Sequence, residues 1–284
     1  MFRVILVLAF ALAAIPVVSP AQVGTDMPAP REASMLVSGA FDIEPDGSVS
    51  SIELKMREKL PAYVVDMVDK AAKSWQFEPI LVDGVAVPAR AYVSLRLFAV
   101  PTLNDAVELS IGNATFLYLG PSDAEHVVAV RREVPLYPFQ ARERNASGDV
   151  YLLVRINRKG RVVDTAVEQV NLREVSDGRT AELLRKQFSE AVVRAARRWI
   201  FRPPTAGPHS GADSWTLRTP VSFLMDGTSP SDEYGRWVGY VPGPRQKALW
   251  LEEGAPAGND ALASGAISLV GAGPRLLTAL QPET

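Results

Sequence analysis

Tryptophan, phenylalanine and proline at alternate positions occur twice in this chain, as Trp75-Gln-Phe77-Glu-Pro79 and as Trp199-Ile-Phe201-Arg-Pro203. What leads up to each phrase repeats as well. Val37, Gly39, Phe41 and Ile43 alternate ahead of Asp46-Gly47, and Val150, Leu152, Val154 and Ile156 alternate ahead of Lys159-Gly160. Period-two alternation marks a strand with one buried face, and glycine takes the positive φ that a tight hairpin turn demands. Each copy then changes to helical spacing, with Leu60, Val64, Val65, Met67, Val68 and Ala71 in the first and Leu183, Leu184, Phe188, Val192, Val193 and Ala196 in the second. Proline closes each helix, because it lacks an N–H and biases its predecessor towards extended geometry. The aromatic pair ahead of it can plug the space between helix and sheet. A last strand follows at Ala91 to Leu97 and at Leu217 to Leu224. A chain that says this twice is predicted to be α+β, with two small units that each pack a short antiparallel sheet against an amphipathic helix. In this reading Trp75, Phe77, Pro79, Trp199, Phe201, Pro203, Gly47 and Gly160 are structural.

The copies occupy 33–100 and 133–226. Between them, 101–132 reads as a linker with a hairpin, since Gly112-Asn113 is a two-residue turn signal between Val107–Ile111 and Ala114–Leu119. Residues 227–284, rich in Gly, Pro, Ala and Ser, read as a low-complexity tail of the kind that stays unpacked. Its aromatics Trp237, Tyr240 and Trp250 are expected to tuck against the second copy. At the other end, Arg3 precedes an apolar run from Val4 to Val18 and the small residues Ser19-Pro-Ala21. That is the layout of a secretory signal peptide over 1–21. A retained anchor is the alternative, although the run carries Pro16 and is shorter than the roughly 20 residues of a span. Either places the rest outside the cytoplasm, in the periplasm if the cell is Gram-negative. There is no cysteine, which removes thiol catalysis, cysteine–zinc sites and disulfides. A formal net charge of −2 gives no sign of nucleic-acid binding.

Together these residues resemble the C-terminal domain of TonB-type energy transducers. The second copy carries the fuller match: Pro135, Tyr137-Pro138, Ala141, Gly148-Asp-Val150, Lys159-Gly-Arg-Val162, Trp199-Ile-Phe-Arg-Pro203 and Pro220-Val-x-Phe223. The first has the strand, the turn and the aromatic phrase but no Tyr-Pro lead-in. The resemblance implies a periplasmic binding module that pairs an unpaired edge strand with an extended segment of a partner protein or peptide in the cell envelope, such as an outer-membrane transporter. Backbone hydrogen bonds would supply affinity and alternate pockets selectivity. The edge would comprise Leu217, Thr219, Val221, Ser222 and Phe223 in the second copy, and Tyr92, Val93 and Leu95 in the first. A working transducer also needs a lasting anchor and a long Pro-rich rod. The stretch from Gln22 to Ser34 spans at most about 45 Å at roughly 3.3–3.6 Å per residue, so an anchored transducer is the second reading.

Sites for chemistry are sparse. Asp42, Glu44, Asp46, Gly47 and Glu53 nearly spell a calcium loop. However, a strand precedes Asp42, Pro45 interrupts the pattern, and the equivalent turn in the second copy, Asn157-Arg-Lys-Gly160, has no carboxylate. We read an acidic hairpin turn, with no metal and no cofactor. His126 and His209 are the only histidines, neither at metal-ligand spacing. No nucleophile motif accompanies them, so no catalytic residue is assigned. A hydrolase site assembled from distant parts stays open as a third reading, to be revived by a pocket holding a histidine beside a carboxylate and a hydroxyl. The basic residues Arg185, Lys186, Arg194, Arg197, Arg198 and Arg202 read as a solvated helix face rather than a lipid or nucleic-acid surface.

Overall fold

The computed structural model describes residues 32–101, 107–118, 122–174, 176–225, 227–251 and 260–281. In chain order its elements are β1 (Glu32–Ile43), β2 (Val49–Leu54), α1 (Ala62–Ala72), β3 (Leu81–Val82), β4 (Val85–Ala86), β5 (Ala89–Pro101), β6 (Val107–Leu117), β7 (Val128–Arg131), α2 (Phe139–Glu143), β8 (Gly148–Asn157), β9 (Val162–Leu172), α3 (Gly178–Ala196), β10 (Ile200–Arg202), β11 (Ser214–Phe223), β12 (Val238–Tyr240) and β13 (Ser268–Leu269). Mostly antiparallel sheets with a few helices make the fold α+β.

One sheet runs β12-β1-β5-β6, with β2 pairing β1 beside β12. Alternation along β1 and β5 turns Met35, Val37, Phe41, Ile43, Val93, Leu95 and Leu97 towards the Val64, Val68 and Ala71 face of α1. The other sheet runs β13-β11-β8-β9. There Val150, Leu152, Val154, Ile156, Leu217, Val221 and Phe223 meet Leu184, Phe188, Val192 and Ala196 of α3. Asp177 starts α3 by accepting the Thr180 amide at 2.9 Å, which satisfies a first-turn donor. Each indole plugs its own core at 1% exposure.

The two hairpin turns agree down to individual bonds. Gly47 donates to Glu44 O and Gly160 to Asn157 O, both at 2.8 Å. Phe77 donates to Gly47 O at 2.8 Å and Phe201 to Gly160 O at 2.9 Å. Turn and plug are thus joined backbone to backbone, which is why the glycine and the aromatic phrase recur together. A Cβ on Gly160 would lie 1.7 Å from Phe201 O, and one on Gly47 would lie 2.0 Å from Phe77 O, at φ of +69° and +87°. Gly160→Ala is therefore expected to cost more than the roughly 1–2 kcal/mol of a left-handed non-glycine residue, read from the urea midpoint. Gly84, at φ +80° with open space around it, is the control that should show the backbone cost alone. Equal losses at the two sites would refute the close approach.

Three expectations need correction. Gly112-Asn113 is not a hairpin turn: β6 continues through it alongside β5, and the register slips between Arg96 and Leu97, so Gly112 is absorbed as a bulge. Leu183 sits 38% exposed on the outer side of α3 rather than in the core. Much of the described tail is packed, although Leu249 stands fully exposed. Trp237 packs on the first core and donates to Tyr63 OH at 2.8 Å, and Tyr240 donates to Glu32 at 2.5 Å. Only Trp250 joins the second sheet, under the Arg155 guanidinium at 5.6 Å. The proposed signal peptide lies outside the described residues. Among those described, no helix is long and apolar enough to cross a membrane.

Side chains on the helix-free faces are the polar half of each alternation, Ser34, Ser94 and Arg96 on one sheet and Asp149, Tyr151 and Arg218 on the other. These faces look at each other. Arg96 donates to Tyr151 OH at 3.4 Å and to the carbonyl of Asp260, a tail residue, at 2.9 Å. The layers are helix, sheet, sheet, helix, with tail between the sheets.

Candidate functional site

The expected binding margins are not unpaired. Tyr92, Val93 and Leu95 stand on β5, which has β1 on one side and β6 on the other. Of these only Tyr92 is exposed, at 45%. The segment read as an independent hairpin filled this edge, because eleven extended residues beside a bare strand satisfy its N–H and C=O groups.

On β11, side chains and backbone point different ways. Leu217, Val221 and Phe223 face α3, Thr219 is buried at 1% and receives Arg132 at 3.3 Å, and Ser222 donates to Asp149 at 2.6 Å from the helix-free face. One margin pairs with β8 from Ser214 to Phe223. The other belongs to even-numbered residues. Thr216 O accepts from Val270, Pro220 O from Gly265 and Ser222 N donates to Ser264 Oγ, each at 2.9 Å. Pro220 fits mid-strand because its missing N–H falls on this outer margin. The cover is thin. Among the described residues, only Ser268 and Leu269 form a strand against Arg218 and Leu217.

Arg132 couples this cover to the plug. Its guanidinium lies 4.8 Å from the centre of the Trp199 ring and donates to Gly265 O at 2.5 Å. Burial lowers its proton affinity below that of an ordinary arginine. The first copy has a counterpart further along the tail, where Trp75 Nε1 donates to Leu280 O at 3.0 Å and Leu277 N to Gln76 O at 2.8 Å.

Between the sheets, Tyr151 and Tyr240 hold their protons far more tightly than a free phenol. Burial is the larger cause in both, reinforced at Tyr240 by the Glu32 carboxylate. An unfolded tyrosine ionises near pH 10, so above that pH the unfolded chain binds fewer protons than the folded one. The stability these phenols retain is full below about pH 10 and falls beyond it, by up to about 1.4 kcal/mol per pH unit for each. Melting curves from neutral to alkaline pH should fall more steeply for the native sequence than for the Tyr151→Phe/Tyr240→Phe double variant. Parallel curves would mean that both phenols ionise in place.

The carboxylates of the acidic turn in the first copy are engaged by the chain's own groups. Asp42 accepts from Ser51 at 2.6 Å, Asp46 from the Ser48 amide at 2.9 Å, and Asp42 and Glu53 both pair with Arg90. No group of three metal-ligating side chains occurs among the described residues. The two histidines, far apart in sequence, line one cavity of about 760 Å³ with Glu125, Asp83 and Tyr118. Arg185 leaves the expected solvated stripe to bond Val170 O and Pro242 O, at 3.2 and 3.1 Å.

Sequence reasoning missed Ser264, Gly265 and Val270 as the cover of β11, and Arg96 and Arg173 between the sheets. The only sequence trace of the cover is Ile267-Ser-Leu-Val270, a short β-prone run inside an Ala/Gly-rich segment. No family model matches the chain, and no curated protein does. Among solved structures, the solution NMR structure of the Pseudomonas aeruginosa TonB CTD aligns with 39% of this chain and 95% of its own length, at 24% identity and a TM-score of 0.26.

Proposed function

We propose that this chain is an exported cell-envelope protein, built from two TonB-C-like units, that binds an extended segment of a partner protein on the outer margin of β11. The tail strand β13 is then a resident placeholder that the partner displaces. One observation carries the reading. β11 offers ten residues, while its tail partner is a strand of two. An incoming strand that follows the whole margin makes more backbone bonds than it removes. The sequence resemblance makes an outer-membrane transporter the first partner to try.

Deletion of residues 260–284 should strengthen capture of the partner, by about tenfold for each ~1.4 kcal/mol of tail contact released. Ser222→Pro in the deleted chain should abolish the gain, since Ser222 N faces outward while Val221 belongs to the β8 side. Unchanged capture by the folded deletion variant would overturn the reading. An anchored transducer remains the alternative within the same family resemblance. It rests on residues 1–21 being retained, which the intact mass of the exported protein decides. A second class of reading, hydrolysis, is favoured by the histidine cavity. It requires that His126→Ala or His209→Ala abolish a turnover seen with the native chain on ester or peptide substrates.

A further inference from the structure

Val134, Leu136 and Phe139, on the segment between β7 and α2, stand 87%, 85% and 72% exposed. Apolar side chains scattered over a surface are ordinary, but these three are held out together because their neighbours are tied down. Glu133 O accepts the Trp199 indole N–H at 2.9 Å. Tyr137 meets Phe188 and Phe223 edge-on and donates to Ala146 O at 2.5 Å. Gln140 accepts from Gln187 at 2.6 Å. The segment is thus fixed along α3 with its apolar side chains outward. Such exposure leaves each side chain clear of its surroundings, so the surface is a row of knobs rather than a groove for a strand or helix.

Cations are in excess around them. Arg131, Arg142, Arg144, Arg194, Arg197 and Arg198 are exposed, against Glu133 and Glu143. Glu133 is shared by Arg198 at 2.5 Å and Arg131 at 4.0 Å, and Glu190, nearby on α3, is matched by Lys186 at 4.0 Å. Among the described residues, Arg142, Arg144, Arg194 and Arg197 have no carboxylate within ion-pair distance. Helical spacing puts Arg194 and Arg198 on the same stripe of α3 as Gln187, the stripe along which the apolar segment runs. In a chain of net charge −2, this is a local surplus on one face. The macrodipole accounts for arginines at the end of α3, but not for Arg131 on β7 or for the apolar side chains beside it. Irregular backbone enters lipid at the cost of its unsatisfied polar groups, and Pro135 and Pro138 have no N–H to leave unsatisfied. Nucleic acid would use the arginines and leave the apolar side chains idle. An anionic lipid surface uses both, since apolar side chains enter the headgroup boundary while arginines meet its charge.

We infer that this face of the second unit docks on an anionic lipid surface, with Val134, Leu136 and Phe139 entering the headgroup boundary and the surrounding arginines meeting its charge. Lipid contact here is independent of strand pairing at β11, so either can fail without the other. Co-sedimentation of the full mature chain with vesicles of phosphatidylcholine alone, and of phosphatidylcholine mixed with phosphatidylglycerol, provides the test. The chain should bind the mixed vesicles and not the neutral ones, and binding should weaken as salt is raised. Leu136→Ser/Phe139→Ser should lower partitioning at least about tenfold with the melting temperature unchanged, because both side chains are already exposed. Arg142→Gln and Arg194→Gln should each lower it roughly fivefold. The absence of cysteine permits a single polarity-sensitive dye. Placed through Leu136→Cys it should report an apolar environment on mixed vesicles, and placed through Lys70→Cys, on the helix of the opposite outer layer, it should not. No binding to either vesicle, equal binding to both, undiminished binding by the double serine variant, or a silent dye at position 136 on bound protein would each overturn the assignment. So would self-association through these side chains in place of vesicle binding, which would make the face a protein contact.

Discussion

Trp199→Ala is expected to cost about 3–5 kcal/mol, the usual penalty for truncating a buried large aromatic. Against a total stability on the order of 5–15 kcal/mol, that is enough to populate an unfolded second sheet. The cost has identifiable parts. The ring is 1% exposed, and its removal leaves a hole beside Phe201, whose ring centre lies 6.4 Å away. Glu133 O, which receives the indole N–H at 2.9 Å, loses its donor. Arg132 loses the ring it lies over, and with it the brace that reaches Gly265 on the tail. Urea unfolding followed by circular dichroism gives the loss directly. Protection of the Gly265 and Val270 amides against hydrogen exchange should fall with it, because the tail's hold on β11 depends on the same arginine. A loss below about 1 kcal/mol, the range of surface substitutions, would mean that the indole does not seal the core. Trp75→Ala should act on the other end of the tail, since its indole N–H holds Leu280 O.

Much of each unit can be read in the sequence because its logic is carried by side chains. Alternation set which faces of β1, β5, β8 and β11 meet a helix, and helical spacing chose the inner faces of α1 and α3. Glycine and the aromatic phrase recur because one is bonded to the other through Phe77 and Phe201. The occupants of the margins were not legible, and the reason is physical. The cover of β11 is held by backbone bonds from Gly265 and Val270 and one serine hydroxyl, and its apolar contact is only Ile267 and Leu269, too short a period to stand out. Gly112-Asn113 misled in the same way. A glycine that serves a turn also serves a bulge, and the deciding factor was a long unpaired strand nearby. The polar halves of the alternation carried a different ambiguity. Arg96, Asp149, Tyr151 and Glu168 look like residues facing water, yet two such faces meet, so the sequence shows their polarity without showing their burial.

Glu168→Ala tests that burial most sharply, with an expected cost of about 3–5 kcal/mol. Glu168 on β9 and Arg218 on β11 reach each other across β8, the strand between them, and bond twice, at 2.7 and 2.9 Å. Each side chain is 6% exposed. Removing the carboxylate alone leaves a guanidinium charge that water cannot reach, and this accounts for most of the penalty. Replacing both partners with methionine removes the desolvation cost along with the attraction, so the double variant should recover nearly all of the loss and can exceed the native chain by about 1–4 kcal/mol. A double-mutant cycle in urea reads the difference. A surface pair would give a coupling of about 1 kcal/mol or less, and that outcome would show that the two polar faces remain wet. Strong coupling with a stable double variant would mean that the ion pair adds little net stability and instead fixes which faces meet. Arg218 also pairs with Ser268 of the tail and Glu168 O accepts from Gln246. Both contacts are made by backbone, so the double variant should stay folded with the tail still seated on β11.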